Sequence, residues 1–352
     1  MATPLAACAT AQIPQAAMAA PGVTSPDPVL QLLSGLNQPD DLLFAQGQLY
    51  VGEYGSGKIA VLGPELSETV LPVTVPEVEG MALLNGTLYV ADQQSDSVVR
   101  VDGSQLTKVL QLMPVPGQEG VDGIGSAGNE LIVPDSPRGR VLLVGPDGTL
   151  IQTFTGFVRP TGAWGLTGGG FLVADEDAGS VLAVAADGAR TTIATGVPLA
   201  DDVTEDSAGR IDVISIQDGT LLQVAPGSRV VLASGLDQPQ GLTLDAADNS
   251  VVTQYGSGRL DEVVTTFQPL PGATGVSLKR DQPLCISVVR AGRFTAPVQI
   301  AAATGFRVVR QPGQGSVGAI LPRSCPHGCE LNLRLRSGAL QARTSVQYRT
   351  AS

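Results

Sequence analysis

The chain says one phrase six times. Its opening strand reads NQPDDLLF (37–44), EVEGMALL (77–84), EGVDGIGS (119–126), RPTGAWGL (159–166), PLADDVTE (198–205) and DQPQGLTL (237–244), so that equivalent positions 40, 79, 122, 161, 201 and 240 recur every 39 to 43 residues. After a turn, each copy continues into a second strand: GQLYVGE (47–53), GTLYVAD (86–92), NELIVPD (129–135), GGFLVAD (169–175), GRIDVIS (209–215) and NSVVTQ (249–254). A polar turn and a third strand follow: GKIAVL, DSVVRV, GRVLLV, GSVLAV, GTLLQV and GRLDEV. A period near 40 with three or four short strands per unit is the signature of a propeller blade. One such sheet cannot bury both faces alone, and stacking the copies around a ring does it.

Outer, fourth strands are legible as TKVLQLM (107–113), GTLIQTFTG (148–156), RTTIATG (190–196) and RVVLASG (229–235). The sixth unit lacks one and runs into QPLPGATG (268–275), whereas PVLQLLSG (28–35) stands unassigned before the first unit. The N-terminal strand is therefore expected to complete the last blade, which closes the ring and removes an exposed edge. The fold expected is all-β: a six-bladed β-propeller of four-stranded blades over 28–267, a linker at 268–275, and a small β-sandwich-like domain over 276–352. Residues 1–27, rich in Ala, Pro and Thr, read as a flexible tether.

Charge supports that division. The net charge is −12, but residues 276–352 carry +9 and the remainder −21. An acidic propeller argues against nucleic acid as its partner. The basic segment suits anionic cell-envelope polymers or lipid headgroups, or contact with the acidic part. No run of about 18 apolar residues exists, so no transmembrane helix is expected. PLAAC (4–8) resembles a lipoprotein cleavage box with Cys8 as the lipidated residue, although only seven residues precede that cysteine. These features point to a monomeric, secreted or cell-envelope protein. In such a compartment a disulfide from Cys285 to Cys325 or Cys329 is expected, and CPHGC (325–329) lacks the spacing of haem attachment.

The phrase in GTLYVADQQSDSVVRV (86–101) resembles the NHL-repeat, SMP-30/gluconolactonase and streptogramin-lyase group of six-bladed propellers. The resemblance spans roughly residues 28–267, and the fold it implies hosts lactonases, lyases and pure binding modules. In gluconolactonase-like members, metal ligands include an Asn or Asp just before a first-strand glycine. VDG (121–123) and ADD (200–202) match by position, while the fourth unit has PTG (160–162) in place of the expected Asn. Streptogramin lyases and peptide-amidating lyases of this fold use propeller histidines. The chain has one histidine, His327, outside the propeller, which disfavours those activities.

In a propeller, the starts of the innermost strands gather at one mouth of the central channel. Asp40, Glu79, Asp122, Thr161, Asp201 and Gln240 are thereby brought together. Like charges there repel unless protons or a cation compensate, and an all-oxygen ring suits Ca²⁺ or Mg²⁺. Asp40, Glu79, Asp122 and Asp201 are the candidate metal ligands, with solvated acids as the plainer alternative. Glu53, Thr161, Trp164 and Gln240 are candidate contacts to a small molecule or a protein at the mouth. The second-strand ends Asp92 and Asp175 read as turn residues bonding backbone N–H groups. Two functions follow: a binding or scaffolding module working through the acidic mouth, or a divalent-metal-dependent, lactonase-like hydrolase.

Overall fold

The computed structural model describes residues 29–63, 66–207, 209–245, 248–263, 276–278, 284–287, 299–301, 306–310, 317–337 and 340–350. Cys8, the tether and the linker lie outside them. The chain divides into two compact units, one of them Val29–Val263. No helix among the described residues is long and apolar enough to cross a membrane.

Val29–Val263 forms six four-stranded antiparallel sheets. The innermost strands are Pro39–Ala45, Val78–Leu84, Gly125–Ala127, Pro160–Gly165, Ala200–Glu205 and Pro239–Leu244. Neighbouring innermost strands touch in ring order, the first against the last included. In the sixth sheet the outer position is taken by Val29–Ser34, which pairs Val29 with Val263 and Ser34 with Arg259. The ring is therefore closed by the N-terminal strand, as the sequence implies. The outer strand of the first blade is Glu68–Val70, all three residues exposed. With no apolar alternation, it leaves no pattern in the sequence.

Apolar side chains of adjacent blades meet between the sheets. Ile59 of the first blade packs with Val78, Met81 and Val90 of the second. Leu172, Ala174 and Val181 of the fourth pack with Val203, Val213 and Leu222 of the fifth. This mutual covering is what the repetition achieves, since burying one such side chain is worth about 1.5–3 kcal/mol.

Each innermost strand is irregular at the same place. Pairing with the second strand shifts register between Pro39 and Leu42, Val78 and Gly80, Pro160 and Ala163, Ala200 and Val203, and Pro239 and Leu242. In the third blade the strand is shortened to Gly125–Ala127, with a lone bridge from Val121 to Asp135. These bulges lie at the ring positions and leave extra residues free of the usual in–out alternation. The next residue is glycine in four blades because the strands nearly touch there. A Cβ on Gly241 would stand 2.2 Å from the Asp40 carbonyl oxygen, and one on Gly162 would stand 2.4 Å from that of Asp201. Gly241→Ala is accordingly expected to destabilise the protein by about 2–4 kcal/mol, read as a lowered urea midpoint at unchanged m-value. An unchanged midpoint would show that the waist of the channel is looser than described.

In the C-terminal unit, Val276–Leu278, Leu340–Thr350, Cys329–Ser337 and Gln299–Ala301 form one sheet, and Leu284–Ser287, Val317–Pro322 and Phe306–Arg310 another. The expected bridge from Cys285 is corrected: Cys325 and Cys329 are joined to each other, with Cα atoms 6.0 Å apart. Gly328, at φ 93°, folds the intervening turn back far enough for that span. The loop is tied to the last strand by Cys325 N donating to Thr350 Oγ1 at 2.6 Å and Thr350 N donating to Cys325 O at 2.9 Å.

Candidate functional site: an acidic channel

At the waist of the channel, Asp40, Asp41, Glu79, Asp122, Asp201, Asp202 and Gln240 surround a cavity of about 10 Å³, the size that holds one water or one small ion. The structure thus brings together the four proposed ligands Asp40, Glu79, Asp122 and Asp201, and adds Asp41 and Asp202. The bulges explain the addition. Where other blades carry Glu-Gly, Asp-Gly, Thr-Gly and Gln-Gly, the first and fifth carry Asp-Asp. Both residues of each doublet then line the same cavity.

Crowding shows in the protonation of these groups. Burial, then repulsion from Asp122, holds Asp40 well above the usual carboxylate range, and a hydrogen bond with Glu79 offsets part of this. Glu79 is raised by burial and by Asp40. Asp201 is raised by burial and by Asp122, and Asp41 by burial and by Asp202. Burial pushes Asp202 up to about 7 even though its oxygens accept from Val203 N and Leu242 N, each at 2.8 Å. Asp41 likewise accepts from the backbone of Leu42 and Met81. The two aspartates thereby staple the first blade to the second and the fifth to the sixth.

Arg159 is the cation that the described residues set against this cluster. Its guanidinium donates to Glu119 at 2.6 Å and to Asp122 at 3.3 Å, and it also pairs with Glu176. Asp122 is raised by burial but restrained by this charge. Above the ring, Tyr54 and Tyr255, which open YGSG turns at 54–57 and 255–258, stand with ring centroids 5.9 Å apart, and Gln38 Nε2 donates to the Tyr255 hydroxyl at 2.6 Å. Burial and the neighbouring Glu77 and Glu79 carboxylates raise Tyr54 above the ordinary phenol range.

Three of the expected contacts are placed elsewhere. Thr161 is 1 % exposed, and its hydroxyl faces the carbonyl oxygens of Ala200 and Asp201 at 3.2 and 3.0 Å, so it serves the backbone. Glu53 accepts from Asn37 N at 3.3 Å and Ser56 Oγ at 2.7 Å, which holds the loop entering the first blade. The same clip recurs at Asp175, accepting from Arg159 N at 2.8 Å, and at Gln254, accepting from Asp237 N at 2.7 Å. Trp164 lies farther along its strand and lines a separate chamber on the other side of the waist. Gln240 does line the acidic cavity.

For a divalent metal, the donor chemistry is right and the arrangement is not. Among the described residues no three Asp, Glu, His or Cys side chains are grouped so as to hold a metal ion. Asp40 and Glu79 bond each other, both Asp202 oxygens are engaged by backbone N–H groups, and Arg159 stands against Asp122. As set, one guanidinium stands against the ring, and burial with mutual repulsion shifts its carboxyl groups toward the protonated form.

No family model matches the chain, and no curated protein matches it in sequence. Solved structures match it in shape. A gluconolactonase from Xanthomonas campestris superposes with a TM-score of 0.56 at 18% identity, over 67% of this chain and 88% of its own. A putative gluconolactonase gives 0.55 at 14%, over 67% and 91%. Virginiamycin B lyase from Staphylococcus aureus gives 0.54 at 11%, over 84% and 99%. Identities this low carry the architecture alone: the chain is a six-bladed β-propeller with the fold of the gluconolactonase and virginiamycin B lyase propellers.

Proposed function

We propose that the protein is an exported binding module whose acidic mouth captures a positively charged group, presented by a small molecule or by a protein. The observation that carries this reading is the imbalance at the waist, where six carboxyl groups face one guanidinium. A ligand cation offsets the burial and the mutual repulsion that raise these carboxyl groups. Tyr54 and Tyr255 at the entrance offer ring faces that favour the same charge. The disulfide of the C-terminal unit accords with an oxidising, extracytoplasmic compartment. The excess of +9 in residues 276–352 suits contact with an anionic envelope.

Calorimetric titration with capped lysine, capped arginine and neutral capped norleucine tests the reading. The two cationic probes are expected to bind and norleucine is not, and Asp201→Asn is expected to weaken binding about tenfold. Norleucine binding as tightly as lysine would overturn it. The competing reading, a metal-dependent lactonase, is favoured by the all-oxygen donor set. It requires the ring to rearrange, and it predicts lactone hydrolysis that a chelator abolishes.

A further inference from the structure

Below the acidic waist the channel widens into a chamber of about 290 Å³. Its walls come from the innermost strands and from Ile124 just before the third of them, and include Leu43, Met81, Leu83 and Trp164. Its polar end is formed by Asp41 and Asp202. Exposure grades along the strands. In the first blade Pro39–Leu42 are buried and Leu43–Ala45 half-exposed, and in the fourth Pro160–Ala163 are buried and Trp164 and Gly165 half-exposed. The chamber therefore opens at the ends of these strands, away from the mouth where they begin.

Asp41, which stands between this chamber and the waist, has an oxygen without a partner. Asp41 is 7 % exposed, and its Oδ2 makes no hydrogen bond. Leaving a buried acceptor unsatisfied costs about 1–3 kcal/mol, so its retention beside an apolar chamber points to a donor that arrives with a ligand. The charge around it selects that donor. Asp40, Glu79, Asp122, Asp201 and Asp202 surround the same waist, and Arg159 is the opposing cation, so a positive head is favoured over a neutral one.

We propose that this chamber is a second binding site, taking a small primary alkylammonium whose head donates to Asp41 Oδ2 and whose chain lies against Leu43, Leu83, Ile124 and Trp164. The head need not compete for Asp202, whose oxygens are engaged by Val203 and Leu242. The site stands apart from the reading of the acidic mouth, because its entrance and its apolar wall are its own.

Trp164 is the sole tryptophan of the chain, so its fluorescence reports on the chamber directly. Titrating the full-length protein with n-hexylammonium is expected to give a saturable change in emission. Hexanol should not reproduce it. Asp41→Asn, which keeps an oxygen for the backbone bonds, is expected to weaken the response about tenfold, and Ser126→Met, which fills the chamber from its half-exposed wall, to abolish it. No response up to about 10 mM hexylammonium, an equal response to hexanol, or indifference to both substitutions would overturn the proposal. Failure of the capped-lysine titration leaves this fluorescence readout in place, so the two readings fail separately.

Discussion

Removal of Val29–Ser34 is expected to lower the melting temperature by about 20 °C or more and to replace a single cooperative transition by aggregation on heating. That strand is the outer member of the sixth sheet, pairing along Arg259–Val263, with Leu36 N bonded to Gly258 O at 3.1 Å. Without it the third strand of that blade becomes an unpaired edge. Its Asp261 and Glu262, each 0 % exposed, lose the cover that keeps water from them. A propeller resists unfolding because every sheet leans on two neighbours, and an incomplete sheet breaks that chain at one link. The control is Thr69→Pro in the outer strand of the first blade, Glu68–Val70, which is exposed and closes nothing. It should cost a few degrees at most. A peptide with the sequence of residues 29–36, added to the truncated protein, should restore part of the lost stability by strand addition. Equal melting temperatures for the truncated and parent proteins would refute the closure argument.

The second large effect concerns pH. The carboxyl groups of the waist have folded pKa values above their unfolded ones, with Asp202 near 7, and Asp212, buried in the fifth blade, near 6. Between about pH 4 and those values the folded state holds protons that the unfolded state has released. The stability these groups contribute is then full only below about pH 4 and is lost progressively as pH rises through the folded values. Melting temperature should rise by about 5–10 °C between pH 8 and pH 5.5. Replacing Asp40 and Asp201 together by Asn removes much of the repulsion while keeping shape. The double variant should therefore melt higher than the parent at pH 8 and lose most of that advantage at pH 5. On the proposed function it should also lose affinity for capped lysine. A double variant less stable than the parent at pH 8 would show that the ring is held by bonds these residues make rather than strained by their charge.

The repeat made the architecture legible because blade formation follows from a local rule, apolar alternation, applied six times. Ring closure was legible because PVLQLLSG is a short apolar run like the other outer strands, and the sixth unit lacks one of its own. The ring residues Asp40, Glu79, Asp122 and Asp201 followed from the topology, since strand starts must meet at the hub. Asp41 and Asp202 did not, because alternation assigns neighbours to opposite faces and only the bulges between Pro39 and Leu42 and between Ala200 and Val203 override it. The Asp-Asp doublets, set against glycine in the other blades, were the available signal. Arg159 was hidden because Glu119 and Asp122 come from the entry of the third blade and Glu176 from a turn of the fourth, which only the packing of those two blades gathers. Thr161 misled because a hydroxyl can satisfy backbone carbonyls as readily as a ligand. The cysteine pairing depended on one glycine turn at 328, which spacing alone does not reveal.

The closing strand also decides how the propeller bears load. Because Val29 is paired with Val263, the first and last residues of the ring lie side by side at one end of the same antiparallel ladder. Tension applied between a held N-terminal segment and a gripped C-terminal one would peel that ladder from its end, one bond after another, instead of shearing all of its bonds together. Mechanical opening should thus begin at the sixth sheet at low force, however resistant the remaining five are to heat.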